Sequence, residues 1–216
     1  MLCAALVCAA YLVGAIPFGL LIGLTRGVDI RAHGSHNIGA TNAGRVLGRG
    51  WGILCLVLDI LKGLIPTLIA SGVLDRGQPP ANYLLQWIAV GLAAVVGHTF
   101  PIYLRFRGGK GVATTIGVTL GIYPVMTIAI SIALLAYAAV RFTTGRVALG
   151  SLTLAVVLPG AVLAVTRWRG QPMGDSWPLI ALASVLAVLI IVRHRSNISR
   201  LLKGEEPRFA AGEGTD

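Results

Sequence analysis

Residues 2–24 carry no charged side chain. A helix needs about 20 apolar residues to cross the hydrocarbon core of a bilayer, so this run alone commits the chain to a membrane. Residues 52–70, 81–96, 147–165 and 177–192 repeat the pattern. With 56% hydrophobic and 12% charged residues among 216, and a mean hydropathy of +0.81, a water-soluble domain is excluded. The expected architecture is an all-α polytopic membrane protein. One integral-membrane domain covers residues 1–207, and a disordered tail is expected at 208–216. The first charge is Arg26, so the basic n-region of a cleaved signal peptide is missing. The first segment is therefore expected to remain as a membrane helix.

Within these segments, Gly19, Gly23 and Gly27 recur every four residues, which offers a groove for close helix packing, and Pro17 marks a kink. Asp59 and Lys62 stand three apart inside an apolar helix. Charges in a membrane are costly and pairing reduces the cost, so they are expected to pair with each other. Cys3, Cys8 and Cys55 lie in apolar segments without metal-ligand spacing and read as small buried hydrophobes.

A net charge of +10 would suggest nucleic acid on a soluble protein. Here the basic residues lie between apolar segments, so orientation and anion binding explain them better. Fourteen of the 18 basic residues fall at 25–50, 97–111, 141–146 and 193–208. These segments are expected to be cytoplasmic, with the N-terminus outside and the C-terminus inside. Residues 112–140 must then contribute an even number of passes. The expectation is seven membrane helices, two of them short and broken near Pro124.

Three polar motifs should meet on one face. Residues 34–45 place Ser35, Asn37, Thr41, Asn42 and Arg45 among small residues, a set able to donate many hydrogen bonds to phosphate oxygens; helix capping is the simpler role for such residues. Residues 97–114 hold Gly108-Gly109-Lys110-Gly111 in a basic setting. Bare backbone N–H groups in such a turn form an anion nest, and a helix starting near Val112 would add its positive end. The glycine spacing is not that of a nucleotide P-loop. Residues 194–205 place His194, Asn197 and Arg200 on one helix face, or form a basic snorkelling helix end.

These motifs resemble the bacterial acyl-phosphate:glycerol-3-phosphate acyltransferases, the PlsY family. The family's Ser-x-Asn-x-Gly-Ala-Thr-Asn matches Ser35 to Asn42, its Gly-His-x-Phe-Pro leading to Gly-Gly-Lys-Gly-Val-Ala-Thr matches Gly97 to Thr114, and its His-x-x-Asn-x-x-Arg-Leu-x-x-Gly-x-Glu begins at His194 and ends at Glu206. Asp59, Lys62 and Gly63 fit an Asp-x-x-Lys-Gly element. His36 stands where glycine is frequent, and Arg107 replaces a frequent lysine.

The resemblance implies a compact seven-helix fold in the cell membrane, with a cytoplasmic active site. It implies transfer of a fatty acyl group from acyl phosphate to the 1-hydroxyl of sn-glycerol 3-phosphate, giving lysophosphatidate and inorganic phosphate, the first step of phospholipid synthesis. Two phosphate-bearing substrates require charge neutralisation, for which Lys110, Arg45 and Arg200 are available, with Gly108, Gly109 and Gly111 admitting backbone donors. Ser35, Asn37, Thr41, Asn42 and Asn197 can orient the substrates, and the acyl chain can lie between the apolar helices among membrane lipids. His194, with Asn197 and Ser35, is the catalytic candidate. It is either the general base or a phosphate hydrogen-bond donor, with a substrate phosphate taking the proton. Ser35 lacks an adjacent base in sequence, which favours binding over covalent catalysis. His98 is expected to hold the motif loop. No metal pattern, cofactor motif or His-x4-Asp acyltransferase motif is present. A transporter of phosphate or organophosphate is the competing reading. It would place polar groups across the midplane and often show an inverted repeat, whereas the polar groups here cluster at one face.

Overall fold

The first apolar run is not one helix. In the computed structural model, which describes residues 1–74 and 80–209, it forms α1 (Leu2–Ala15) and α2 (Phe18–Thr25). The break falls at Ile16, with ψ 118, because a following proline disfavours the α conformation. The break takes the Ile16 carbonyl out of the helical ladder, leaving it only the turn bond from Phe18 N at 3.1 Å. Lys62, on α4 (Arg49–Leu74), donates to that carbonyl at 2.8 Å and pairs with Asp59 at 2.8 Å. Both side chains are buried. The expected ion pair is thus present, and its lysine adds a second donor to a carbonyl that lipid could not serve.

The remaining helices are α3 (Ala40–Val46), α5 (Pro80–Thr99), α6 (Val112–Gly121), α7 (Val125–Thr144), α8 (Val147–Trp168), α9 (Met173–Arg193) and α10 (Arg195–Leu202). Among the described residues, six stretches are long and apolar enough to cross a membrane: Leu2–Thr25, Arg49–Leu74, Asn82–Leu104, Val125–Thr144, Val147–Trp168 and Met173–Arg193.

The segment 112–140 corrects one expectation. It breaks near Pro124, but only α6 is short, with 10 residues spanning about 15 Å. α7 runs through the anticipated connector to Thr144, giving 20 residues and about 30 Å. Nothing between Val125 and Thr144 interrupts a helix. The stop is Gly145, at φ 72, in the left-handed conformation typical of helix ends.

Helix contacts rest on close backbone approach. A Cβ on Gly63 would strike the Thr114 carbonyl, and one on Gly117 the Ile60 carbonyl, so α6 lies tightly against α4. The expected groove of Gly19, Gly23 and Gly27 does not form. Pro17 ends the continuous face, Gly19 and Gly23 meet the carbonyls of Ile38 and Val28, and Gly27 lies in a turn at φ 73. α1 instead packs on α5 through Gly14 and Gly97. The core buries Val90, Val118, Met126, Ile130, Leu154, Leu158, Leu186 and Ile190. Ile65, Leu68, Leu135, Val156 and Val188 are exposed along the spans, as a lipid-facing surface requires. Of the cysteines, Cys55 is buried, Cys3 is partly so, and Cys8 faces outward.

The turn after α7 lies at the same end as the residues following α9. Phe209 N donates to the Gly145 carbonyl at 2.9 Å, Arg146 Nε to the Glu206 carbonyl at 3.2 Å, and Arg141 stacks over Phe209 at 5.2 Å. Phe209, inside the anticipated tail, therefore packs on the helical body; residues 210–216 of that tail lie outside the described residues. So do 75–79 of the turn anticipated at 71–80, whose first four residues complete α4.

Candidate active site

The segment before α3 is shaped by Asn42. Its Oδ1 accepts from Ser35 N at 2.8 Å, and its Nδ2 donates to the carbonyls of Ile30 at 2.8 Å and His33 at 3.2 Å. With these bonds made and the residue 1% exposed, Asn42 clamps the loop rather than offering its amide to a ligand, a correction to the sequence reading. Asn37 Oδ1 accepts from Gly39 N at 3.0 Å and turns the chain into α3. His36 sits at φ 55, in the left-handed region favoured by glycine, and its Nδ1 lies 2.9 Å from the Arg31 carbonyl. The loop accommodates the histidine through a contact that glycine could not make. Arg45, in the last turn of α3, is half-buried; burial lowers its pKa, and Glu206 opposes that shift.

The glycines of the second motif divide into two roles. Gly109 N donates to the His98 carbonyl at 3.0 Å, and a Cβ on Gly109 would strike the His98 ring. Gly108 is pressed against the same turn of α5. The carbonyls of Gly108 and Gly109 accept from Arg193 at 2.8 and 3.2 Å. These two glycines allow the loop to seat under His98, as expected for His98, but they do not line the cavity as anion donors. The Gly109 N–H is already committed, which corrects the expectation that both cradle phosphate. Gly111, at φ 86, starts α6 and does line the cavity.

Lys110 points from this loop to Asn197, whose Oδ1 accepts from its Nζ. Asn197 Nδ2 donates to Glu206 Oε1 at 2.7 Å, and Glu206 Oε2 accepts from Arg200 Nε at 2.7 Å. One buried carboxylate thus orders three expected site residues. Burial pushes the Lys110 pKa down from 10.5 to about 8, with Glu206 opposing and Arg200, Arg45 and Arg193 adding to the fall. Such a lysine is poised to regain full charge beside a dianion.

α9 and α10 form an almost continuous helix through His194, whose N donates to Ile190 and whose carbonyl accepts from Ile198. This places His194 and Asn197 on one face, as expected. The His194 ring is buried, with Nδ1 at 2.8 Å from the Ile190 carbonyl. Burial and then Lys110 lower its pKa to about 4, so the ring is neutral at neutral pH. A carbonyl partner requires the proton on Nδ1, leaving the lone pair on Nε2.

Two cavities adjoin here. The larger, about 300 Å³, is lined at its polar end by Ser35, Asn37, Thr41, Asn42, Arg45, Lys110, Gly111, His194, Asn197 and Glu206. Its other wall is apolar, from Leu56 and Ile60 on α4, Ile116 on α6, Leu134 on α7 and Ala148 on α8. Leu56 is partly exposed, and this wall is built from the apolar stretches Arg49–Leu74, Val125–Thr144 and Val147–Trp168 with α6. The smaller cavity, about 190 Å³, shares Ser35, Asn37 and Lys110, and adds Arg193, Arg195, Ser196 and Arg200. Of the expected site residues, only Gly108 and Gly109 stand outside both. Glu206 and Arg193 were missed as site residues, the first having been read only as the end of a motif and the second only among the basic residues of 193–208. An acidic pair, Glu205-Glu206, in a stretch of five bases was the available signal for Glu206.

A glycerol-3-phosphate acyltransferase family model matches residues 4–204. The chain is 45% identical to the glycerol-3-phosphate acyltransferase of Geobacter sulfurreducens over 207 residues, covering 95% of this chain and 97% of that one. It is 44% identical to that of Anaeromyxobacter dehalogenans over 210 residues, covering 96% and 98%. A crystal structure of PlsY, an integral membrane glycerol 3-phosphate acyltransferase, in its glycerol 3-phosphate form matches with a TM-score of 0.81 at 37% identity, over 97% of this chain and 96% of that one. The lysophosphatidic acid form matches at 0.79, with the same identity and coverage. Sequence and fold agree along nearly the whole length, and the chain belongs to the PlsY-type glycerol-3-phosphate acyltransferases, a family of integral membrane enzymes.

Proposed function

We propose that this enzyme transfers a fatty acyl group from acyl phosphate to the 1-hydroxyl of sn-glycerol 3-phosphate, giving lysophosphatidate and inorganic phosphate. The observation that carries the reading is one cavity with a basic polar end at Lys110 and Arg45 and an apolar wall formed between membrane-spanning helices. Such a site suits a phosphate headgroup joined to a fatty chain. Solved relatives in glycerol 3-phosphate and lysophosphatidic acid forms support it. The site faces the cytoplasm across the cell membrane, with the N-terminus outside and α6 as a short seventh membrane helix; the charge bias between segments supports this orientation.

In the reaction the 1-hydroxyl oxygen attacks the acyl carbonyl carbon. The carbonyl–oxygen bond to phosphate breaks, and phosphate leaves with the electron pair. Lys110, Arg45 and Arg200 balance the phosphate charges, with Gly111 at the head of α6, while Ser35, Asn37, Thr41 and Asn197 orient the two substrates. An acyl phosphate is already activated, so positioning and charge stabilisation supply much of the rate. His194 Nε2 accepts the hydrogen bond of the attacking hydroxyl. Its pKa of about 4 favours a substrate phosphate, with an ordinary second pKa of about 6, as the final proton acceptor.

Purified enzyme given acyl phosphate and glycerol 3-phosphate should release lysophosphatidate and phosphate in equal amounts. Product from acyl-CoA but none from acyl phosphate would defeat the donor assignment. His194→Ala tests the proton route: a general base contributes about 10²- to 10⁴-fold, so a loss below about tenfold leaves the phosphate as base.

A further inference from the structure

The loop between α5 and α6 has features that substrate handling does not use. Ile102, Tyr103 and Phe106 are 51%, 55% and 58% exposed. Arg105 and Arg107 are exposed beside them, and neither guanidinium has a partner among the described residues. The loop leaves the apolar stretch Asn82–Leu104, so it stands where hydrocarbon gives way to headgroups. Arg105 and Phe106 are consecutive left-handed residues, at φ 50 and φ 64, a region that bulky side chains rarely adopt. The conformation is locked by Phe106 N to the Pro101 carbonyl at 2.9 Å and Arg107 N to the Leu104 carbonyl at 3.1 Å. On the inner side, Tyr11 Oη donates to the Phe100 carbonyl at 2.8 Å, and Arg193 stacks on Phe100 at 5.4 Å. The loop is therefore a fixed platform, with aromatic and basic side chains turned outward together.

We propose that residues 102–107 bind the headgroups of anionic lipids. Arg105 and Arg107 take the lipid phosphates, while Ile102, Tyr103 and Phe106 enter the edge of the hydrocarbon. Orientation by positive charge alone accounts for the arginines. It does not account for aromatic side chains interleaved with them on a backbone held in an uncommon conformation. The surface lies outside both cavities, so its ligand is a bilayer lipid and not the reacting substrate. Because the loop continues directly into Gly108–Gly109–Lys110, a bound headgroup fixes the height of Lys110 relative to the membrane surface.

The test is lipid retention, which does not depend on the reaction. Protein from vesicles of equal phosphatidylglycerol and phosphatidylcholine is examined by native mass spectrometry. Wild type should retain phosphatidylglycerol in excess, and Arg105→Gln/Arg107→Gln should lower the excess by about fivefold per arginine. Arg105→Lys/Arg107→Lys should keep most of it, and Phe106→Ser should weaken it. Equal excess in wild type and the double glutamine variant overturns the proposal. If that variant does not fold, wild type alone decides: the excess must fade as salt rises from about 0.05 to 0.5 M, and a salt-insensitive excess also overturns it.

Discussion

Lys110 gives the sharpest prediction. Its pKa in the empty site is about 8 rather than 10.5, chiefly through burial, while His194 titrates near 4. The kcat/KM for glycerol 3-phosphate reports free-enzyme and free-substrate groups. It should therefore be highest near pH 7, above the substrate's own second pKa of about 6, and fall as pH rises through 8. The sign follows from the chemistry: the ammonium, not the amine, neutralises phosphate. At pH 7 about nine tenths of the enzyme carries the charge, and at pH 9 about one tenth, so kcat/KM should drop about tenfold. Glycerol 3-phosphate is a dianion at both pH values, with a second pKa of about 6. Lys110→Arg keeps its charge throughout, so it should lower the maximum yet remove the alkaline fall. The assay is initial lysophosphatidate formation at subsaturating glycerol 3-phosphate, from pH 6 to 10. A wild-type profile flat to pH 9, or the same fall in Lys110→Arg, would refute the reasoning.

Other substitutions test the scaffold. Lys62→Met strands the buried Asp59 carboxylate and removes one of two donors to the Ile16 carbonyl, and should cost about 3–5 kcal/mol; Asp59→Asn/Lys62→Met should recover part of the loss in thermal unfolding. Glu206→Gln removes the charge that orders Asn197 and Arg200, and should lower stability by about 1–3 kcal/mol, seen as a lower Tm in detergent. Gly109→Ala drives a methyl into the His98 ring, and its overpacking should cost about 1–3 kcal/mol together with a raised KM for glycerol 3-phosphate.

The spans were legible because apolar runs are a local property, and the Asp59–Lys62 pair because unpaired charge has so few alternatives in a membrane. The meeting of Ser35, Arg45, Lys110, His194 and Asn197 was legible from motif grouping on one face. Side-chain orientation was not. Asn42 has the same chemistry as a ligand or a clamp, and only its distance to Ile30 and His33 decides. Gly108 and Gly109 serve a contact with His98, ten and eleven positions earlier in the chain, which local glycine content cannot distinguish from a phosphate nest. The length of α7 was hidden because Arg141 read as a connector, although a charged residue near a membrane surface can continue a helix until Gly145 ends it.

The broken first span bears on how the protein enters the bilayer. Asp and Lys near a helix centre each oppose insertion by about 2.5–3.5 kcal/mol, while each Leu or Ile favours it by about 0.3–0.6. α4 has eleven Leu and Ile residues, enough to bring its two charges only near balance. The Ile16 carbonyl, held only by the turn bond from Phe18 N, precedes α4 in synthesis. On this arithmetic α4 is expected to insert together with α1 and α2, its Lys62 donating to the Ile16 carbonyl as in the folded structure.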